Sequence, residues 1–130
     1  MDKLIEILDE LTVLTKDTDL FAYEIPLEKG GLWLADSQTD SRFNDSDAVE
    51  FDCYYRGKDK VKAIANIQYL KSTIDALSGS MGVCLLDDGT NFSLKIMYKW
   101  DYLEKDAEGY FVFANRLRLI YDEPEQIISA

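Results

Sequence analysis

The chain has 130 residues, 47% of them hydrophobic and 12% aromatic, which is enough to build one domain around its own core. Its formal net charge of −11 disfavours ordinary binding to nucleic acid phosphates. Because the sequence contains no histidine, it excludes Ser-His-Asp and Cys-His nucleophile systems and every His-ligated metal site.

The negative charge is concentrated in the first part of the chain. Residues 1–50 carry 13 acidic and 4 basic side chains, whereas residues 51–130 carry 12 and 10. Three interpretations stay open: an acidic lining past which DNA slides, a decoy that mimics DNA, and an ordinary solvated acidic surface. No apolar run is long enough to cross a membrane and the N-terminus lacks a signal-peptide pattern, so we expect a cytoplasmic protein without membrane contact.

The first predicted helix spans residues 3–15. Its apolar residues recur at helical spacing, and so short a helix must pack on a sheet. These residues are Leu4, Ile5, Ile7, Leu8, Leu11 and Leu14. Two short strands follow, Leu20–Leu27 and Leu32–Ala35, with Gly30-Gly31 in the turn between them. Pro26 either ends the first strand or places it at an edge of the sheet.

Residues 36–47 are polar, rich in Ser and Asp and without periodicity, which predicts a long surface loop. The predicted acidic face of this loop, which would line a channel, consists of Asp36, Asp40, Asp45 and Asp47. A calcium loop that began at Asp45 would need an oxygen ligand at position 5 and glycine at position 6, where the chain has Val49 and Glu50. We therefore expect no metal site here.

An alternating strand, Val49–Arg56, leads through a turn to the second helix, residues 59–78. Asp59 is its predicted N-cap, and Gly79 follows its end. Its apolar stripe consists of Ala63, Ile67, Leu70, Ile74 and Leu77, flanked by Val61 and Ile64. A basic cluster lies mostly away from this stripe, and it either serves a partner or forms a solvated face: Lys58, Lys60, Lys62 and Lys71.

After a short buried strand, residues 83–86, two alternating arms predict a long antiparallel hairpin. The arms are Phe92–Tyr102 and Phe111–Tyr121, and the acidic turn Glu104–Gly109 joins them. Each arm would be roughly 35 Å long, about as long as a domain of this size is wide. The hairpin therefore either spans the domain or reaches beyond its own core.

The order of the elements predicts a single α+β domain, residues 1–130, with two helices packed on one face of a mostly antiparallel sheet and a long C-terminal hairpin. Residues 123–130 carry Ile127 and Ile128 beyond Pro124, which predicts a tail that docks on this chain or on a neighbour.

The sequence contains no catalytic constellation, so we expect neither enzymatic activity nor a cofactor. The carboxylate pairs Asp87-Asp88 and Asp45/Asp47 lie in turn-like sequence, where Asp is favoured for its backbone hydrogen bonds. Cys53 and Cys84 lie in separate strand-like runs and form no C-x-x-C motif, which predicts buried, reduced thiols.

The segment Tyr54–Asp59 with the following helix, and the hairpin segment Glu104–Phe113, resemble the minor capsid and tail terminator proteins of siphophages from Gram-positive hosts. The resemblance covers residues 49–122 and the N-terminal helix. It implies an α+β subunit of the virion neck that forms a ring, a hexamer, at the head-proximal end of the tail tube. Such a ring halts polymerisation of the tail tube protein and contacts the connector of the head.

The predicted contacts with neighbouring subunits or partners lie mainly on the hairpin, because aromatic side chains dominate interfaces, although the same rings also suit a core. They are Tyr98, Trp100, Tyr102, Glu104, Asp106, Glu108, Tyr110, Phe111, Ile127 and Ile128. Two other functions stay open: an acidic inhibitor that mimics DNA on a host nucleic-acid enzyme, and a hydrolase that uses carboxylates and a divalent metal.

Overall fold

The structure is a computed structural model, in which residues 2–11, 13–43, 46–78, 84–85 and 91–122 are described. Within these residues the chain forms two helices and one sheet. The elements follow in the order α1 (Asp2–Glu10), β1 (Leu20–Ala22), β2 (Gly31–Phe43), β3 (Ser46–Gly57), α2 (Lys60–Ser78), β4 (Cys84–Leu85), β5 (Asn91–Ile96), β6 (Asp101–Lys105) and β7 (Phe111–Asp122). Neither helix has the length and apolar character that crossing a bilayer requires.

The strand order within these residues is β1-β2-β3-β7-β5-β4, and β6 also pairs with β7. β1 and β2 are parallel, and the other pairs are antiparallel. β3 and β7 form the centre of the sheet, and their register runs without a shift from Asp47 opposite Tyr121 to Gly57 opposite Phe111. β5 and β6 both lie on the other side of β7, one after the other along its length.

The core lies between one face of the sheet and the two helices. Alternate residues of the strands lie on this face, as period-two geometry requires, and they are buried or half-buried. The buried strand residues are Leu32, Leu34, Phe51, Cys53, Phe92, Leu94, Ile96, Leu117 and Leu119. α1 and α2 cover them with Leu4, Ile7, Leu8, Leu70 and Ile74. The predicted α+β class, with two helices on one face of a mostly antiparallel sheet and a C-terminal strand hairpin, is confirmed.

α2 matches its predicted span, whereas α1 is shorter than predicted. α2 begins as predicted, because Asp59 Oδ1 accepts a hydrogen bond from the Lys62 N–H at 3.0 Å. α1 ends at Glu10, which is earlier than the predicted residue 15. The Val13 N–H donates to Leu8 O in a wide turn, and Asp9 Oδ1 accepts from the Lys16 N–H, so the chain reverses there.

The predicted loop over residues 36–47 is wrong, and so is the predicted length of the strand before it. β2 continues to Phe43 and β3 begins at Ser46, while residues 44–45 lie outside the described part. The register of β2 against β3 shifts after Leu34 and again after Ser37. Such bulges remove the alternation by which a strand is identified in a sequence. β1 ends at Ala22, far short of the predicted Leu27.

The first arm of the C-terminal hairpin is interrupted, which also corrects the prediction. It divides into β5 and β6, with Met97 to Trp100 between them outside the ladder. Asn115 of β7 fills the gap, since its Oδ1 accepts from the Tyr98 N–H at 3.1 Å and its Nδ2 donates to Tyr98 O at 3.0 Å. The single polar residue on the apolar face of this strand therefore marks the break.

Cys53 is a free, fully buried thiol, as predicted. Burial raises its pKa far above the usual range, and the nearby Asp52 carboxylate adds to the rise. The side chain of Cys84 lies outside the described part.

Candidate functional site

A buried arginine joins three segments at the end of the sheet where β3 stops. Arg56 is 3% exposed, and its guanidinium donates to the carbonyl oxygens of Pro26 at 3.1 Å and Leu27 at 2.7 Å. Its Nε lies 2.9 Å from Asp106 Oδ2, and the guanidinium carbon is 3.9 Å from the centre of the Tyr110 ring. Arg56 therefore connects the segment after β1 to the β6–β7 turn.

The β6–β7 turn is built by the same carboxylate that pairs with the arginine. Asp106 Oδ1 accepts hydrogen bonds from the N–H groups of Glu108 at 3.1 Å and Tyr110 at 2.9 Å. Gly109 adopts φ 86°, a left-handed conformation that a glycine takes without strain. Glu108 Oε2 is 3.8 Å from the Arg56 guanidinium. The turn is thus fixed in shape, and its acidic side chains face a cation of their own chain.

A groove of about 330 Å³ lies beside Arg56 on the sheet face that the helices leave uncovered. Trp33 and Tyr54 stack in it with their ring centres 5.1 Å apart. Leu27 and Leu103 stand at its border, 65% and 52% exposed. The groove combines an apolar floor with the carboxylates of the β6–β7 turn.

A second surface at the same end of the sheet carries lysines held on aromatic rings. Lys60 Nζ lies 4.3 Å from the centre of the Tyr102 ring, and Lys105 Nζ lies 5.4 Å from that of Phe111. Lys58 Nζ is 5.2 Å from the Tyr110 ring centre. We refer to these six residues as the lysine–aromatic patch. In the part of the chain that the structure describes, none of its lysines forms an ion pair.

The fold has a counterpart among solved structures. It is similar to that of a chain in a structure described as "Virion of native gene transfer agent (GTA) particle", with a TM-score of 0.51 and 13% sequence identity over 85% of this chain and 81% of that one. No protein family model matches the sequence, and no curated protein matches it. At this identity, the likeness establishes a shared fold.

Two of the strand edges that are open among the described residues lie at opposite corners of the sheet. β1 pairs with β2 only as far as Leu34, so the outer edge of β2 from Ala35 to Phe43 has no described partner strand. β6 pairs with β7 on one side only, and all five of its side chains are exposed. Open edges present unpaired backbone N–H and C=O groups to another chain.

The structure brings together five of the predicted interface residues and separates the others. Around Arg56 and Lys60 lie Tyr102, Asp106, Glu108, Tyr110 and Phe111. Tyr98 is exposed and Trp100 half-buried in the break between β5 and β6, and Glu104 is exposed on β6. Ile127 and Ile128 lie outside the described residues. A place for any of them at an interface stays a prediction.

The described positions of the predicted acidic face lie toward the end of the sheet opposite Arg56. Asp36 and Asp40 belong to β2 and Asp47 to β3, while Asp45 lies outside the described part. The three described positions are therefore on two paired strands instead of on a loop.

Proposed function

We propose that the chain is a structural protein of a phage-like virion, and that it forms a ring at the head-proximal end of the tail tube as a tail terminator. The observation that carries the proposal is the likeness of its fold, over 85% of the chain, to a chain of a gene transfer agent virion. The resemblance of residues 49–122 to tail terminators supports the more specific role.

The two open strand edges support assembly into a ring. Because they differ from each other and lie at opposite corners, a contact between them would be head-to-tail, and such contacts close into rings when the rotation allows it. In this ring the tail tube protein would bind on one side and the connector of the head on the other. Acidic side chains lining the channel, which a chain of net charge −11 can supply, would let DNA pass without adhering.

We further propose that the role is non-catalytic. Two arginines that the sheet holds in defined geometry are paired with carboxylates. Arg56 pairs with Asp106, and Arg116 lies 3.6 Å from Glu50 Oε2 and 3.3 Å from Asp52 Oδ1. These pairs hold neighbouring strands and turns together.

Size-exclusion chromatography with light scattering tests the ring. We expect a discrete oligomer as the concentration rises, or on addition of the tail tube protein, and ring-shaped particles in electron micrographs. A monomer under all of these conditions would contradict the proposed function.

A DNA mimic is a second candidate, because residues 36–52 carry six carboxylates and only one arginine. It predicts inhibition of a nuclease or polymerase that disappears when Asp40, Asp45 and Asp47 are replaced by asparagine. Retention of inhibition in that variant would argue against the mimic.

Truncation after Asp122 is expected to leave a folded domain that assembles less well, because the two isoleucines beyond Pro124 then no longer reach a neighbour. Circular dichroism and thermal unfolding measure the fold, and light scattering measures assembly. Matched replacement of only Ile127 and Ile128 by serine should reproduce the loss. Unfolding of the truncated chain would instead show that the tail belongs to the core.

A further inference from the structure

We propose that the lysine–aromatic patch is the docking site for the acidic β2–β3 hairpin of a second copy of this chain. The inference rests on the proposed ring and identifies the two surfaces that join its subunits. One surface is the patch with the open edge of β6, and the other is the hairpin with the open edge of β2.

The lysines of the patch are poorly suited to their local surroundings. Lys58 and Lys60 stand at the start of α2, where the helix dipole is positive and favours acidic side chains. No carboxylate of the described residues pairs with them. The rings of Tyr102 and Tyr110 hold the ammonium groups by cation–π contacts, which fix the charges without neutralising them. A chain of net charge −11 thus keeps an ordered, unneutralised cationic surface, which suits an anionic partner.

The chemistry of that partner is present in the chain itself. Residues 36–43 of β2 and 46–49 of β3 carry Asp36, Asp40 and Asp47 against the single base Arg42, and the sequence between the two strands adds Asp45. The backbone edge beside them is open from Ala35 to Phe43. Strand addition at this edge would supply backbone hydrogen bonds, and the opposite charges would set the register and exclude other partners.

The hairpin of one copy does not reach its own patch. β3 and β7 lie between β2 and β6, which separates these edges by about 14 Å. Along the strands, Asp40 is level with Val49 and Leu119, six positions of β7 beyond Phe113, the partner of Tyr102. The hairpin and the patch are therefore also displaced by about 20 Å along the strand direction. Hairpin and patch are therefore diagonally opposed, and only a second copy brings them into contact.

Charge reversal with complementation tests this contact. The patch variant carries Lys60→Glu and Lys105→Glu, and the hairpin variant carries Asp40→Lys and Asp47→Lys. A control variant, Lys16→Glu with Lys99→Glu, makes the same change of charge at exposed lysines elsewhere. Glutamate at the first residue of α2 suits the helix dipole, so the patch variant should stay folded, which circular dichroism verifies. The neutral variant Lys60→Gln with Lys105→Gln provides an intermediate step.

We expect each reversed variant alone to associate roughly 100-fold more weakly than the wild type. The neutral variant should associate more weakly than the wild type but more strongly than the reversed patch variant. An equimolar mixture of the patch and hairpin variants should recover the ring, because every contact in an alternating ring then joins opposite charges. Unchanged assembly of the patch variant, no recovery in the mixture, or an equal loss in the control would overturn the inference while leaving a wild-type ring intact. A wild type that never assembles would instead refute the proposed function.

Discussion

Replacement of Arg56 by alanine is expected to lower the free energy of unfolding by about 3–5 kcal/mol. The substitution removes a cation that is 3% exposed and leaves the Asp106 carboxylate, itself 19% exposed, without its counter-charge. It also leaves the carbonyl oxygens of Pro26 and Leu27 without their donor. Chemical denaturation, followed by circular dichroism, measures the change.

Arg116→Ala is the matched control for this prediction. Arg116 forms two carboxylate contacts on the same sheet, with Glu50 and Asp52, but its side chain is 26% exposed and water replaces the lost partners. We expect a cost below about 1 kcal/mol. Equal costs for the two arginines would show that Arg56 is not the buried junction that its contacts indicate.

Sequence patterns predicted the regular elements where one face is buried continuously. α2 is the clearest case, because its stripe Ala63, Ile67, Leu70 and Ile74 is buried as its spacing predicts. β3 and β7 were recognisable for the same reason, since they pair with each other without a register shift over their common length. The spacing of apolar residues in the sequence matches the pattern of buried residues wherever strand pairing is regular.

The predictions failed where the ladder is irregular or where tertiary contacts replace local ones. The bulges after Leu34 and Ser37 shift the alternation of β2, so a polar strand was predicted as a loop. Tyr98 and Trp100 continue the alternation of β5 in the sequence, yet the chain leaves the sheet there because Asn115 bonds the Tyr98 backbone. One polar residue on an apolar strand face was the available signal.

The candidate site was predictable in its hairpin residues but not in its cations. Arg56 was predicted as the last residue of a strand, and its acceptors on Pro26 and Leu27 lie about thirty positions away, so no local pattern indicates the contact. The lysines at the start of α2 were recognised in the sequence as a cluster. Their cation–π contacts with Tyr102 and Tyr110 depend on the pairing of β3 with β7, which the sequence pattern did not predict. Contacts between elements that are distant in sequence depend on how the strands and helices are arranged. The periodicity of a single sequence predicts the elements but says little about that arrangement.

Leu70→Ala is expected to lower the free energy of unfolding by about 2–5 kcal/mol, because it leaves a cavity between α2 and the sheet. Leu70 is 5% exposed and belongs to the same cluster as Leu4, Phe51 and Leu94. The same substitution at Leu103, which is 52% exposed on β6, removes equal volume without a cavity and should cost less than about 0.5 kcal/mol. Denaturant titration gives the free energy of unfolding of both variants. Because the chemical change is identical, the difference between them reports the effect of burial. A cost below about 0.5 kcal/mol at Leu70 would contradict the packing of α2 on the sheet, and with it the frame that holds the lysine–aromatic patch at the open edge of β6.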